Sequence, residues 1–148
     1  MKIINGDIIA EIKNKNFDVF VHGCNCFHVM GGGVAKLLKD NFPGVLKADI
    51  TLTKKGDRYK LGTYSCMIDG SVTIVNGYTQ FGFGSDKCHL DYAALRGLFC
   101  RIKKDFFGSR IAYPKIGAGL AGGNWSIISM IIDEELEGMD HTLIEYGD

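Results

Sequence analysis

Two glycine-rich segments, each between a strand-like run and a helix-like run, constrain this sequence most strongly. The first glycine segment is residues 31–33 in MGGGVAKLL, and the second is residues 117–123 in PKIGAGLAGGNW. At a helix N-terminus several backbone N–H groups have no intrahelical partner, and glycine lets an anion approach them closely. A single segment of this kind is commonly only a tight turn. Two in the same context predict one ligand with two phosphates.

The rest of the sequence alternates strand-like and helix-like runs, which is typical of an α/β protein. Runs rich in β-branched and aromatic residues predict strands at residues 2–4, 17–22, 63–68, 71–78, 110–113 and 142–146. Apolar residues at helical spacing predict helices within residues 34–42, 90–102 and 127–136, the first of them ended by Pro43. Asp69 and Gly70 favour a type I′ turn, so the third and fourth strands are expected to form an antiparallel hairpin. We therefore expect a mixed sheet of about six strands with helices on both faces, and the glycine segments at the carboxyl ends of strands.

Length and composition restrict the classes of function. With 148 residues, 46% of them hydrophobic, the chain has the size of one domain, residues 1–148, with a substantial core. Its 17 basic and 17 acidic residues balance, so nothing drives it toward nucleic acid or an anionic membrane. It shows no secretory signal and no run of the roughly 20 apolar residues that span a bilayer, so we expect a cytoplasmic protein with a small partner.

The five cysteines follow no CxxC pattern. In a reducing compartment most of them are expected to be small buried hydrophobic residues. Cys24 and Cys26 are close enough in sequence to reach one metal, but we predict no metal site and no cofactor. Neither cysteine lies in a CxxxxxR phosphate loop, so neither is expected to be a nucleophile.

Three segments resemble those of macrodomains, an α/β family that binds ADP-ribose. They are INGDII at the start, VHGCNCFHVMGGGVAKLL, and YPKIGAGLAGGNW followed by a helix. Together they cover nearly the whole chain in the order found in that family. The PKIGAGLAGG and GYTQFGFG segments are most similar to phage and fungal ADP-ribose 1''-phosphate phosphatases and their deglutamylating relatives. The resemblance implies a three-layer macrodomain sandwich with ADP-ribose as its ligand.

The resemblance implies that three residues contact the adenine of ADP-ribose. Asp7 matches the aspartate that holds the exocyclic amine, a role that suits a group that only accepts hydrogen bonds. Ile8 is the apolar neighbour of the base, and Tyr146 is placed to stack on it. Two alternatives remain: Asp7 as a turn residue after Gly6, and Tyr146 as a core residue.

The resemblance also implies residues at the diphosphate and distal ribose. Asn25 matches an asparagine that binds the distal ribose, because an amide can both donate to and accept from a hydroxyl. Asn124 has the composition of a helix N-cap and is predicted to be structural. Both glycine segments match the walls around the diphosphate, and the residues implied are Gly31, Gly32, Gly33, Val34, Ile116, Gly117, Ala118, Gly119, Leu120 and Ala121.

The resemblance carries less information about catalysis. Deglutamylating relatives use a lysine after the hairpin and an aspartate in the second glycine segment, but this chain has Gln80 and Ala121 there. Neither an amide nor a methyl group can be a nucleophile or its base. His22 is a candidate acid or base, or else a histidine hydrogen-bonded inside the strand end. Asp91 resembles an aspartate of the fungal proteins that could orient water, or else is an acidic residue favoured by the helix dipole.

The candidate catalytic residues are therefore His22, Asn25 and Asp91, with His89 and His28 as looser candidates in neighbouring loops. The expected function is hydrolysis of ADP-ribose 1''-phosphate to ADP-ribose and phosphate. Three alternatives remain open: removal of ADP-ribose from protein, nucleic acid or a signalling nucleotide; non-catalytic reading of ADP-ribose; and sequestration of NAD-derived signals. Nucleic acid is expected only as an ADP-ribosylated substrate, and a membrane partner is not expected.

Overall fold

A single mixed sheet organises the computed structural model, which describes residues 1–146. Its strands are β1 (Lys2–Asn5), β2 (Val19–Cys24), β3 (Tyr64–Asp69), β4 (Val72–Tyr78), β5 (Ile111–Tyr113) and β6 (His141–Glu145). Across the sheet the order is β1-β6-β5-β2-β4-β3. β3 is antiparallel to β4, and the other neighbouring pairs are parallel. The predicted mixed sheet of six strands is confirmed.

Five α-helices accompany the sheet in the described part of the chain. They are α1 (Ile8–Lys13), α2 (Gly33–Asn41), α3 (Gly44–Leu52), α4 (Tyr92–Asp105) and α5 (Trp125–Glu135), and a short 3-10 helix lies at Arg58–Lys60. Between residues 1 and 146, none of these helices has the length and apolar character needed to cross a membrane.

Side chains that alternate between the two faces of the sheet form two separate apolar cores. On β2, Val19 and Val21 pack with the buried residues of α4 and α5. Phe20 and Cys24 point to the opposite face and pack with α1, α2 and α3. Because successive side chains of a strand face opposite ways, one sheet can support a helical layer on each side. The three-layer arrangement implied by the resemblance is therefore present.

Two helices were not predicted. α1 has only six residues, too few to show helical periodicity. It begins directly after Asp7, whose Oδ1 accepts a hydrogen bond from the Ala10 N–H at 3.0 Å, so Asp7 is a helix N-cap and not the turn residue of the alternative interpretation. α3 follows Pro43, which we had interpreted only as the end of the preceding helix. Proline suits a helix start, because its missing N–H has no intrahelical role there.

Two elements, β2 and α4, begin two residues later than the sequence pattern indicated. β2 was expected at residues 17–22 but runs over Val19–Cys24, because Gly23 and Cys24 continue its pairing with Gly77 and Tyr78 of β4. The apolar pattern of α4 was counted from Leu90, but the helix itself begins at Tyr92. Leu90 instead forms an isolated bridge with Gln80 and is buried beneath the second glycine segment.

Candidate functional site

A cleft of about 740 Å³ opens at the carboxyl ends of β1, β6, β5 and β2. Its size falls within the roughly 300–1,000 Å³ of small-molecule sites. The two glycine segments form its walls. A Cβ placed on Gly32 would lie 3.0 Å from Cδ1 of Leu120, so the second segment reaches across the cleft to the first. The sheet has thus brought together two segments that are about eighty residues apart in sequence.

The first glycine segment presents the N-terminus of α2 to the cleft. Gly32 is the N-cap residue and supplies no side-chain cap. Gly33 has φ +59°, a conformation that favours glycine. The N–H groups of residues 33–35 have no intrahelical acceptor, and within residues 1–146 they form no other backbone hydrogen bond. Such a helix start favours an anion.

The second glycine segment is a closed turn that also exposes backbone donors. Its ends are held by a hydrogen bond from the Gly123 N–H to the Gly117 carbonyl, at 2.7 Å. Among the described residues, the N–H groups of Gly119, Leu120 and Ala121 donate no backbone hydrogen bond. All three residues line the cleft. The two walls therefore offer clustered neutral donors, as the glycine patterns predict.

A second, more open cavity adjoins the cleft beside α1 and α2. It shares Asn5, Glu145 and Tyr146 with the cleft, and its other lining residues include Asp7 and Ile8. The three residues implied at the adenine end, Asp7, Ile8 and Tyr146, therefore lie around one cavity. Asp7 uses Oδ1 to cap α1. A carboxylate has a second oxygen, Oδ2, which can accept from an amine.

Asn25 lines the cleft, but its amide is engaged in its own loop. Its Oδ1 accepts from the Phe27 N–H at 2.8 Å, and its Nδ2 donates to the Val29 carbonyl at 2.7 Å. An amide nitrogen carries two hydrogens, so one remains for a ligand hydroxyl. Asn25 therefore shapes the loop that leads into the first glycine segment and can still donate to a sugar.

His22 is buried at the floor of the cleft and is tied to Asn76 of β4. The Nδ2 of Asn76 donates to the Val45 carbonyl at 3.0 Å and to Oγ of Ser65 at 3.1 Å. Its Oδ1 must therefore accept, and His22 Nε2 donates to it at 2.7 Å. Burial lowers the pKa of His22 to about 4, and the bond to Asn76 only partly opposes this. A neutral imidazole with one nitrogen engaged fits the interpretation of a hydrogen-bonded histidine inside the strand end.

Three other candidate residues line neither cavity. Asp91 is the N-cap of α4, and its Oδ1 accepts from the Ala94 N–H at 2.9 Å. This geometry fits the helix-terminus interpretation of Asp91. His89 pairs with a carboxylate in its own loop, and His28 hydrogen-bonds to Oγ1 of Thr53 at 3.1 Å. The structure therefore does not bring these three residues to the ligand walls.

The two cysteines near the cleft, Cys24 and Cys26, are protonated near neutral pH. Burial raises the pKa of Cys24 well above its usual value and that of Cys26 to about 11, and neither thiolate is available near neutral pH. Gln80 and Ala121 both line the cleft, and neither side chain is charged. Across residues 1–146 no group of three His, Cys, Asp or Glu side chains is arranged to hold a metal ion.

Several residues that line the cleft were missed by the sequence analysis, and they include Asn5, Phe83, Lys115 and Glu145. Phe83 is half exposed and lies between two glycines, a pattern that could have indicated a rim residue. Lys115 Nζ lies 3.5 Å from Oε1 of Glu145. Asn5 and Glu145 end neighbouring strands, but nothing in the sequence shows that the first and last strands are neighbours.

The mixed sheet between two helical layers, with glycine-lined walls at the strand ends, defines an α/β ligand-binding domain. The chain belongs to the macrodomain family. It is 38% identical to an uncharacterized 17.5 kDa protein of Enterobacteria phage T4, over 99% of this chain and 96% of that relative. It is 25% identical to a protein of Debaryomyces hansenii named ADP-ribose 1''-phosphate phosphatase, over 94% of this chain and 71% of the relative. No family model matches the sequence.

Solved structures share the fold. A protein from Bacteroides thetaiotaomicron has a TM-score of 0.84 at 25% identity, covering 99% of this chain and 98% of that one. The macrodomain of Thermus aquaticus DarG has a TM-score of 0.70 at 23% identity, covering 97% of each chain. Thermosipho africanus DarTG, solved in complex with ADP-ribose, has a TM-score of 0.72 at 18% identity, over 99% of this chain and 41% of that one. The resemblance stated from the sequence is confirmed at the level of the family.

Proposed function

We propose that this protein binds ADP-ribose across the cleft and the adjoining cavity. The observation that carries the proposal is the set of backbone N–H groups without internal acceptors on both walls of one cleft. Two walls of neutral donors suit a diphosphate, because each phosphate can be held without a buried counter-charge. The zero net charge of the chain is consistent with recognition by backbone donors.

In this proposal the adenine lies against Asp7 and Ile8, with Tyr146 available to stack on it. The diphosphate lies between the two glycine segments, and the distal ribose lies beside Asn25. Support comes from the arrangement of the two adjoining cavities and from the fold shared with DarTG, which was solved in complex with ADP-ribose.

For the reaction, we propose hydrolysis of the phosphate monoester of ADP-ribose 1''-phosphate. The support is the name of the fungal relatives, of which one is 25% and another 26% identical to this chain. Water would add to phosphorus as the bond between phosphorus and the ester oxygen breaks, and one proton of the water would pass through a phosphoryl oxygen to the leaving ester oxygen, so that the products would be ADP-ribose and phosphate. Backbone donors can stabilise the charge on the phosphoryl oxygens, and the phosphate itself can take up the proton of the attacking water.

A second candidate is a non-catalytic ADP-ribose binder. It is favoured by the state of His22, which is neutral and donates to Asn76, and by Asp91, which caps a helix away from the cleft. The titratable residues that line the cleft are His22, Cys24, Lys115, Glu145 and Tyr146. Neither His22 nor Cys24 is suited to donate a proton at neutral pH. Burial lowers the pKa of the histidine, which is then deprotonated, and raises the pKa of the thiol, which is then a very weak acid.

One assay separates the candidate functions. The protein is incubated with ADP-ribose 1''-phosphate and, separately, with an ADP-ribosylated protein, and released phosphate and released ADP-ribose are measured. Phosphate release supports the phosphatase, and ADP-ribose release from protein supports the hydrolase that was left open from the sequence. Binding of ADP-ribose with neither release supports the non-catalytic binder.

Calorimetry with two variants tests the proposed pose. Asp7→Ser keeps an N-cap side chain for α1 but removes the carboxylate, so ADP-ribose should bind more weakly while the fold is retained. Gly32→Glu should abolish binding because it places a carboxylate where a phosphate lies, and its neighbour Leu120 Cδ1 is a flexible side-chain end. Unchanged affinity in a folded Gly32→Glu protein would show that the first glycine segment is only a turn.

A further inference from the structure

Three residues form the boundary between the cleft and the adjoining cavity. Asn5, Glu145 and Tyr146 are the residues that line both. Glu145 is partly exposed, and its Oε1 lies 3.5 Å from Nζ of Lys115, which is also partly exposed and lines the cleft. A carboxylate with one cationic neighbour therefore stands between the two cavities.

The backbone fixes this boundary firmly. Asn5 and Glu145 are paired in the parallel ladder of β1 and β6. The Glu145 carbonyl accepts from the Gly6 N–H at 2.9 Å, which ties the loop carrying Asp7 to the end of β6. Lys115 follows β5, the other neighbour of β6. The positions of both charges thus depend on the sheet and not on a long surface loop.

A ligand that fills both cavities must cross this boundary with its adenine-side ribose. This step rests on the proposed function, with adenine by Asp7 and the diphosphate between the glycine segments. The 2'- and 3'-hydroxyls of a ribose are donors, and a carboxylate is an acceptor with two oxygens. Charge-assisted hydrogen bonds of this kind are stronger than neutral ones. In dinucleotide-binding folds an acidic side chain takes the 2'-hydroxyl, whereas a basic one accommodates a 2'-phosphate.

We propose that Glu145 accepts a hydrogen bond from the 2'-hydroxyl of the adenine-side ribose and excludes ligands that carry a phosphate there. Lys115 holds one carboxylate oxygen and leaves Oε2 for the sugar. A 2'-phosphate would bring a charge of about −1.5 to −2 to the carboxylate. Like charges repel at this partly exposed boundary, so we expect ADP-ribose to bind about tenfold or more tightly than its 2'-phosphate.

The test compares ADP-ribose with ADP-ribose 2'-phosphate by calorimetry. The wild-type protein should bind ADP-ribose about tenfold or more tightly than the 2'-phosphate. Glu145→Gln keeps an acceptor but removes the charge, so the ratio should fall about fivefold or more, chiefly through tighter binding of the 2'-phosphate to Lys115. Glu137→Gln makes the same charge change at an exposed residue outside both cavities and should leave the ratio unchanged.

The outcomes distinguish this inference from the function on which it rests. If the wild-type protein binds neither ligand, the proposed function fails and this inference fails with it. If ADP-ribose binds but the 2'-phosphate binds equally or better, the function stands and the role of Glu145 is overturned. The role is also overturned if Glu145→Gln retains the wild-type ratio, or if Glu137→Gln reduces the ratio as much.

Discussion

At the floor of the cleft, the amide of Asn76 determines which nitrogen of His22 carries the proton. Both hydrogens of Asn76 Nδ2 are used by Val45 and Ser65, so its oxygen faces the imidazole. Nε2 of His22 is then a donor, and Nδ1 is the unprotonated nitrogen of the neutral ring. His22, a candidate general acid or base in the sequence, therefore has its tautomer set by Asn76, whereas burial lowers its pKa and keeps the ring neutral.

The burial of His22 predicts a pH dependence of stability. Its pKa of about 4 in the folded protein is below the usual 6.5, so the unfolded chain binds the proton more readily. The neutral His22 therefore contributes about 3 kcal/mol to the free energy of unfolding. This stabilisation is fully present above pH 6.5 and is lost as the pH falls toward 4. We expect His22→Gln, whose amide can donate to Asn76, to show a smaller loss of unfolding free energy between pH 8 and 4.5 in urea titrations.

The quantity to compare is the difference in free energy of unfolding between wild type and His22→Gln at each pH, because groups common to both proteins cancel in it. His141 has a pKa that is also lowered by burial, and it remains in both proteins with the same sign. If wild type and His22→Gln lose the same free energy of unfolding on acidification, His22 is not the neutral buried group described above.

Asp91 is predicted to stabilise α4 and not to act on a ligand. Asp91→Ala should lower the free energy of unfolding by about 1 kcal/mol through loss of the N-cap. Asp91→Ser should recover most of that loss, because a serine hydroxyl can accept from the Ala94 N–H. Both variants should keep wild-type affinity for ADP-ribose. A folded Asp91→Ser protein that loses phosphate release by tenfold or more would restore Asp91 to catalysis.

At the scale of elements, the second glycine segment combines residues with different constraints. Gly117 has φ +75°, and a Cβ there would lie 2.7 Å from Cδ1 of Leu90. Gly119 has no atom within 4 Å of the corresponding position. The segment is therefore closely packed on Leu90 at its start and open at Gly119, which lines the cleft.

These two glycines provide a matched pair of substitutions. Gly117→Ala should lower the free energy of unfolding by about 2 kcal/mol, because it adds both backbone strain and a close contact. Gly119→Ala should change it by less than about 0.5 kcal/mol. Urea denaturation measures both. Equal effects would mean that the turn has a different backbone conformation from the one described.

At the scale of the whole molecule, the proposed ligand would bridge segments from both ends and the middle of the chain. The walls and boundary of the two cavities come from residues following β1, β2, β5 and β6. Binding that holds these segments together should stabilise the folded state as a unit. The proposed ligand is therefore expected to have a large effect on global unfolding.

Thermal unfolding tests this expectation. At about 100 times its dissociation constant, ADP-ribose should add about 2.7 kcal/mol, which corresponds to about 5–10 °C in Tm for a chain of this size. Adenosine monophosphate lacks the second phosphate and the distal ribose and should give a smaller shift at the same concentration. Gly32→Glu should show no shift with ADP-ribose. Equal shifts for both nucleotides would argue against the two-cavity pose.

Much of the fold could be predicted from local sequence patterns. Alternation of β-branched residues indicated the strands, and Asp69-Gly70 indicated the hairpin of β3 and β4. The helix α1 could not be predicted, since six residues give fewer than two turns of periodicity. The helix α3 is as long as the predicted α2, but it was missed because Pro43 before it was interpreted only as the end of a helix. The glycine walls of the site were predicted because their donors belong to the backbone and to a local motif.

The sequence by itself determined most of the alternating elements, the two glycine segments and the family, because each depends on residues that are near one another along the chain. Only the tertiary structure decided that β1 lies beside β6, which brings Asn5 and Glu145 to the boundary between the cavities. It also decided that His22 faces Asn76, fifty-four residues away, whose amide sets the tautomer of the ring, and that burial lowers the pKa of His22. Desolvation and hydrogen-bond partners are properties of neighbours in space, and residue spacing along the chain does not contain them.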